Sequence, residues 1–392
     1  MLGVVVSVIS VLGSVWQWDD PLDPAIAPFI APVVREVPVS SAAMTSEGGQ
    51  SYAYLLGIGT AAENTPLTVG QAYLHAYQAS QDRSALSLPH TLPLPVEDEV
   101  ALCDFTQDTC PDQLLAAKNK IAPVLAQYTT LIARFQHVLQ SAPANPLLPV
   151  ADDTPIPFYQ YLIQANRLQL TQWWYDAQPL SASHPSEATR QSSAALAALV
   201  DKVTSHMQHL RRHLAAEMTV IGKLVYLRMF EEHLVWLHRV AALRVDFPAV
   251  WITQLTPQER SLRVPLAYEF LLPHGYHLSL VARGDLFSAE QPIPLWMARL
   301  VYKPHLTTNT VYHYYAHTAM LSELPEADYI AQHQHWPDLA MTSVQELRNV
   351  AGAVLADIAM PDYLAYIERF HAVNRQITQW GDWQSAGSAR EP

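Results

Sequence analysis

One stretch limits the choice of fold more than any other. From Glu187 to Val245 the chain holds no proline and a single glycine, Gly222. Within it Leu196, Val200, Val203, Met207, Leu210 and Leu214 recur four, three, four, three and four residues apart, one apolar seam of an amphipathic helix. A second seam, Val220, Leu224, Leu227, Phe230, Leu234, Leu237 and Ala241, starts six residues after Leu214 and is out of phase with the first. A straight helix cannot hold both seams against one core, so the sequence predicts a turn between Glu217 and Gly222, with Thr219 as N-cap of the second helix. The two helices then pack as an antiparallel hairpin, because enclosing both seams in one core removes the most apolar surface from water.

Around this hairpin the sequence predicts an all-α fold, an irregular helical bundle. Helices are expected over 66–81, over 111–139 with a kink at Pro123, through Tyr161 to Trp174, and over 325–335, 342–359 and 361–380. Prolines at 257, 265, 273, 292, 294 and 304 point to a mostly irregular segment over 256–306, with at most minor β: one short strand at 276–281. The chain divides into an N-terminal membrane anchor or signal segment (1–18), a Pro-rich extended linker (19–51), a helical body (52–384) and a disordered tail (385–392). Prolines at 21, 24, 28, 32 and 38 favour extended backbone in the linker, and its apolar residues Ile26, Phe29, Ile30, Val33 and Val34 suggest that part of it lies on the body.

Met1 to Trp18 carries no charged side chain, ends in Trp16 and Trp18, and is followed by Asp19 and Asp20. An uncleaved anchor with an interfacial aromatic end fits this pattern better than a cleaved signal peptide, which calls for a basic start and a small-residue cleavage site. The body is then expected outside the cytoplasm, in the periplasm of a cell whose inner membrane holds the anchor. The formal charge of −13 and the absence of any Lys/Arg run exclude a nucleic-acid-binding surface, since nothing would neutralise phosphates. Cys103 and Cys110, the only two cysteines, pair as a local disulfide in an oxidising compartment and stay free thiols in a reducing one.

His206, His209 and His213, with Glu217 four residues on, fall within about 60° of one another on a regular helix and form the one candidate metal-ligand set. The same positions flank the apolar seam, where packed or boundary histidines are common, and Arg211 and Arg212 would repel a cation. Other motifs fail on residue type. His313-Tyr-Tyr-Ala-His317 lacks the glutamate of a zinc protease, and a single Glu-x-x-His pair, Glu368 to His371, is half of a di-iron set. Arg228 and Glu232 stand four apart and are expected to pair on a helix face. Glu231 and Glu232, adjacent and therefore about 100° apart, are not expected to share a site. No catalytic residue and no cofactor is assigned.

Tyr54-Leu55-Leu56-Gly57, Cys103 to Cys110, Ile221-Gly222-Lys223-Leu224, Thr308-Asn309-Thr310 and Asn349-Val350-Ala351-Gly352 occur in that order along most of the chain. Together they resemble a family of proteobacterial secreted or membrane-anchored helical proteins without assigned function. The resemblance implies an envelope location and no catalytic residue; Val350 stands where the family pattern has proline. The expected function is non-enzymatic: an envelope-anchored helical protein that binds or scaffolds another envelope component, an envelope protein partner, with the membrane contacted through the N-terminal segment. The competing expectation is a periplasmic enzyme, metal-dependent through the His-rich helix face.

Overall fold

A computed structural model describes residues 18–35, 40–83, 85–95, 103–178, 185–244, 246–283, 294–334 and 341–388. Residues 1–17 of the N-terminal segment, and 389–392 of the tail, lie outside them. The described elements are all helices, with no strand among the described residues. In chain order they are α1 (Ile26–Ile30), α2 (Ser41–Thr45), α3 (Glu47–Leu56), α4 (Pro66–Ala79), α5 (Cys110–Ala116), α6 (Lys118–Gln127), α7 (Thr129–Gln140), α8 (Gln160–Asp176) and α9 (Pro185–Ala216). The order continues with α10 (Val220–Leu243), α11 (Pro257–Arg260), α12 (Arg263–Arg283), α13 (Leu295–Val301), α14 (Pro304–Glu323), α15 (Glu326–His333), α16 (Ser343–Arg348), α17 (Val350–Ala359) and α18 (Leu364–Ser388).

The described residues fall into two compact units. The larger is drawn from Arg35–Pro149, Asp153–Glu259 and Glu368–Pro392, the smaller from Met1–Val34, Val150–Asp152 and Arg260–Ile367. In the larger unit α9 and α10 form the expected hairpin and pack on each other. The turn lies at Glu217 to Thr219, and the Thr219 hydroxyl accepts the Gly222 N–H at 3.1 Å as N-cap of α10. The first seam is wholly buried: Leu196, Val200, Val203, Met207, Leu210 and Leu214 are each at most 3% exposed. Helix α7 packs on α8 and α9, α8 on both arms of the hairpin, and α3 and α4 pair beside α7. Gly222 is needed at the turn, because a Cβ there would come within 2.5 Å of both the Glu217 carboxyl carbon and the Tyr159 hydroxyl.

In the smaller unit α12 pairs with α14, α17 lies on α14, and α13 touches α12, α16 and α17. Helix α1 packs on α12 and α14, placing the Phe29 ring edge-on to Phe270 and Tyr312 at 6.0 and 5.4 Å.

Several expectations from the sequence need correction. The 19–51 stretch carries three helical pieces in place of an extended spacer. Pro28 sits in the first turn of α1, where a missing N–H costs nothing. Ser40 and Ser46 cap α2 and α3, accepting the N–H of Ala43 and Gly49. The expected burial of part of this stretch is found, with Ile26, Phe29 and Val33 all buried. The 276–281 strand is instead the end of α12, a 21-residue helix that keeps Pro265 in its first turn and Pro273 inside; packing along α14 outweighs one lost backbone bond. The 111–139 helix breaks at Ala117 and Tyr128, not at Pro123. Helix α18 runs through Gly381 to Ser388, past the expected start of the tail.

Candidate functional site

The four residues proposed as metal ligands do not come together. Glu217 is turned into the hairpin, where its Oε1 accepts the Thr219 N–H at 3.0 Å and the Thr219 hydroxyl at 2.8 Å. Burial raises its pKa, against the lowering effect of those bonds. His213 is 2% exposed, stacks on Tyr226 at 5.1 Å and lies 3.3 Å through Nε2 from the Leu139 carbonyl. His206 and His209 remain neighbours, with ring centroids 6.5 Å apart, but the third imidazole beside His206 is His233, at 6.2 Å, and Trp173 stands edge-on to His206 at 4.7 Å. Burial lowers His206 and His213 to about 4 and His233 to about 3, so all three are neutral at pH 7. Among the described residues no group of three or more His, Cys, Asp or Glu is placed to hold a metal ion.

The densest charged constellation lies under the disulfide loop. Cys103 and Cys110 are bonded, with Cα atoms 5.3 Å apart. The loop they close presents Asp104 and Thr106 to α8 and α10. Asp104 Oδ2 accepts from Arg167 on α8 at 2.9 Å and from Arg228 on α10 at 2.5 Å, while its Oδ1 takes the Thr106 hydroxyl at 2.7 Å. Arg167 turns its Nε to Glu232 Oε1 at 3.0 Å, and Asn166 donates to Glu232 Oε2 at 2.8 Å. Arg228 reaches Glu231 at 2.9 Å and Glu232 at 3.6 Å. The expected Arg228–Glu232 pair is therefore present, and the separation of Glu231 from Glu232 is corrected: one long guanidinium spans both carboxylates although they leave the helix in different directions. Further along the loop, Arg239 donates to the Gln107 carbonyl at 3.0 Å, and the Phe105 ring is buried 6.1 Å from Trp174.

Burial dominates the electrostatics here. Glu232 is fully buried, and this pushes its pKa from 4.5 to about 7 in spite of Arg167. Burial also opposes ionisation of Asp104, but the Thr106 hydrogen bonds and the charges of Arg167 and Arg228 outweigh it and hold that carboxyl below its usual range. A carboxyl poised near neutrality is often a general acid or base. Glu232 has no opening to solvent and both its oxygens are taken by donors, so its chemistry is to hold the disulfide loop, α8 and α10 together.

A second feature lies in the smaller unit. Asn349 is fully buried between α16 and α17; its Oδ1 accepts the Lys303 N–H at 2.7 Å and its Nδ2 donates to Thr307 Oγ1 at 3.0 Å. A Cβ on Gly352 would stand 2.1 Å from Thr307 Oγ1 and 2.3 Å from Asn349 Nδ2. Helix α17 thus meets α14 through its small residues, Gly352 and Ala356, both buried. Its large side chains point the other way: Val350, Val354 and Ile358 are 54%, 57% and 74% exposed, continuing Val344 and Leu347 of α16. Ordinary amphipathic helices bury their large apolar side chains, so this face is inverted.

The chain matches no known family model, no curated protein and no solved structure.

Sequence reasoning did not identify Asp104, Arg167 or the α16–α17 face. A local signal existed for the last, since Val350, Val354 and Ile358 recur every four residues opposite Gly352 and Ala356. In the ion-pair centre only Arg228 and Glu232, four residues apart, left a local signal, because the other members are scattered along the chain.

Proposed function

We propose that this chain is a non-enzymatic, envelope-anchored helical protein that docks another envelope component, held by its N-terminal segment with its body on the periplasmic side. The observation that carries the reading is the outward apolar face of α16 and α17. Exposed apolar patches are uncommon on monomers and mark interaction surfaces; Val350, Val354 and Ile358, four residues apart on α17 and each more than half exposed, form such a face, and Val344 and Leu347 of α16 are likewise exposed. The disulfide loop supports the extracytoplasmic part, because small disulfide-closed loops persist in oxidising compartments. The resemblance to proteobacterial secreted or membrane-anchored helical proteins fits the same location. Among the described residues one stretch, Val350–Ala386, is long and apolar enough by length and composition to cross a membrane. Its helix is interrupted between Ala359 and Leu364, and the second piece buries Ile367, Phe370, Val373, Ile377 and Trp380 inside the protein.

Fractionation with a C-terminal alkaline phosphatase fusion tests the placement. An active fusion retained in the membrane fraction is expected; recovery of the chain wholly in the cytosol would refute the anchor and the periplasmic body together.

A further inference from the structure

We infer that the component met by the α16–α17 face is the lipid bilayer itself, in its zwitterionic headgroup and upper acyl region, so that the smaller unit lies on the membrane beside its own anchor. This rests on the envelope-anchored reading given above.

The place where the apolar segment joins the body carries the inference. Trp18, the last residue of that segment, is 66% exposed. The next residues are fastened to the same unit: Asp19 accepts the N–H groups of His305 and Leu306 at 2.8 and 3.1 Å at the start of α14. Asp20 pairs with Arg348, the last residue of α16, within one helical turn of Leu347 and Val344. The Asp23 N–H donates to Asn309 at 2.8 Å, and Asn309 donates back to the Pro21 carbonyl at 2.9 Å. An anchor entering the bilayer through Trp18 therefore brings the apolar row of α16 and α17 to the membrane surface.

Side-chain chemistry agrees with that position. Trp296, on α13 beside α16 and α17, is 58% exposed, and tryptophan favours the headgroup level. The face holds aliphatic side chains in place of a basic cluster. Its one arginine, Arg348, is paired with Asp20, and Glu346 and Asp357 are acidic. With no basic cluster on α16 and α17, insertion of apolar area is the driving force, as for an interfacial helix.

The test uses the full chain in phosphatidylcholine vesicles. Cys103 and Cys110 are paired, so Val354→Cys and, separately, Leu347→Cys each supply one thiol for an environment-sensitive NBD label. With the side chain roughly 5–10 Å into the headgroup and acyl boundary, the label should shift to the blue on vesicle addition and be quenched by a shallow doxyl lipid. Adding Val354→Gln and Ile358→Gln to the Leu347 label should return it to water. These positions are exposed, and circular dichroism of each variant should match the parent. If the chain floats with vesicles but both labels stay in water, the inference is overturned and the anchor stands. A label already blue-shifted without lipid would show the face covered by this chain or by a second copy, and would also overturn it. A chain that does not float would refute both readings.

Discussion

Replacing Arg167 with Met should destabilise the larger unit in a way that depends on pH. Arg167 donates to Glu232 at 2.9–3.0 Å and to Asp104 at 2.9 Å. Without it Asp104 retains Arg228 and Thr106, whereas Glu232 retains only Asn166 and the Arg228 Nε at 3.6 Å. The folded pKa of Glu232, about 7, lies above its ordinary 4.5. Between those values the folded protein binds a proton that the unfolded chain does not, so this group's contribution to stability is largest at low pH and falls as pH rises towards 7. The folded state thus bears an ionisation cost of roughly 3 kcal/mol at about 1.36 kcal/mol per pH unit. At pH 5 Glu232 is neutral, and losing Arg167 removes hydrogen bonds worth about 1–2 kcal/mol. At pH 8 the parent holds Glu232 ionised, whereas without Arg167 its pKa rises further and the buried carboxyl stays protonated, which adds up to roughly 1.4 kcal/mol to the loss seen at pH 5. Urea unfolding at the two pH values, followed by circular dichroism and extrapolated linearly, measures the difference. An equal loss of stability at pH 5 and pH 8 would show that Glu232 is not the charge Arg167 supports.

Two further outcomes follow from the same unit. Cys103→Ala with Cys110→Ala should cost about 2.5 kcal/mol from the loop entropy of an eight-residue ring and abolish any effect of reductant on the urea midpoint; an unchanged midpoint would place the loop's stability in its ion pairs alone. His213 and His233, held neutral with pKa values of about 4 and about 3 by burial, lie below the ordinary 6.5, so the unfolded chain takes up protons first. Their contribution is complete above pH 6.5 and is lost as pH falls towards 4, by roughly 3 kcal/mol per pH unit for the two together. This outweighs the opposite slope of the single Glu232, and Tm should fall with acid. A flat Tm between pH 6.5 and 5, or imidazole NMR signals of either residue titrating near 6.5, would contradict it.

The hairpin was legible because its evidence is local. Two seams out of phase, a threonine at the turn and one glycine among 59 residues from Glu187 to Val245 leave few alternatives, and the Thr219 cap follows directly. Of the polar centre only the Arg228–Glu232 pair was legible, because Asp104 lies 63 residues from Arg167 and 124 from Arg228, and no periodic pattern connects them. Helical spacing also suggested that Arg228 and Glu232 pair on a helix face. They do pair, but with Glu232 buried that face is not an outer one. Helix α10 is enclosed on nearly every side, with Lys223, Tyr226, Glu232, His233 and Trp236 all buried, a condition set by α8, α9 and the disulfide loop rather than by α10 itself.

Helix α17 shows a different limit. Its apolar period is plain in the sequence, but periodicity identifies a face without saying which way it points. Size decides the direction here. The Asn349 side chain bridges Lys303 and Thr307, drawing the start of α17 so close to α14 that only a glycine fits at 352, and Ala356 follows one turn later on the same side. With the inner positions filled by the two smallest residues, Val350, Val354 and Ile358 are turned outward. Contact through Gly and Ala buries little apolar area, so the buried bonds of Asn349 must supply much of what holds α17 in place. Burying the three outward side chains at roughly 1.5–3 kcal/mol each is a gain that folding leaves uncollected and that a second surface can take up. An inverted helix of this kind is stable in water only because polar contacts fix it from within, and the unclaimed apolar energy on its outer side is what makes a docking role the best account of it.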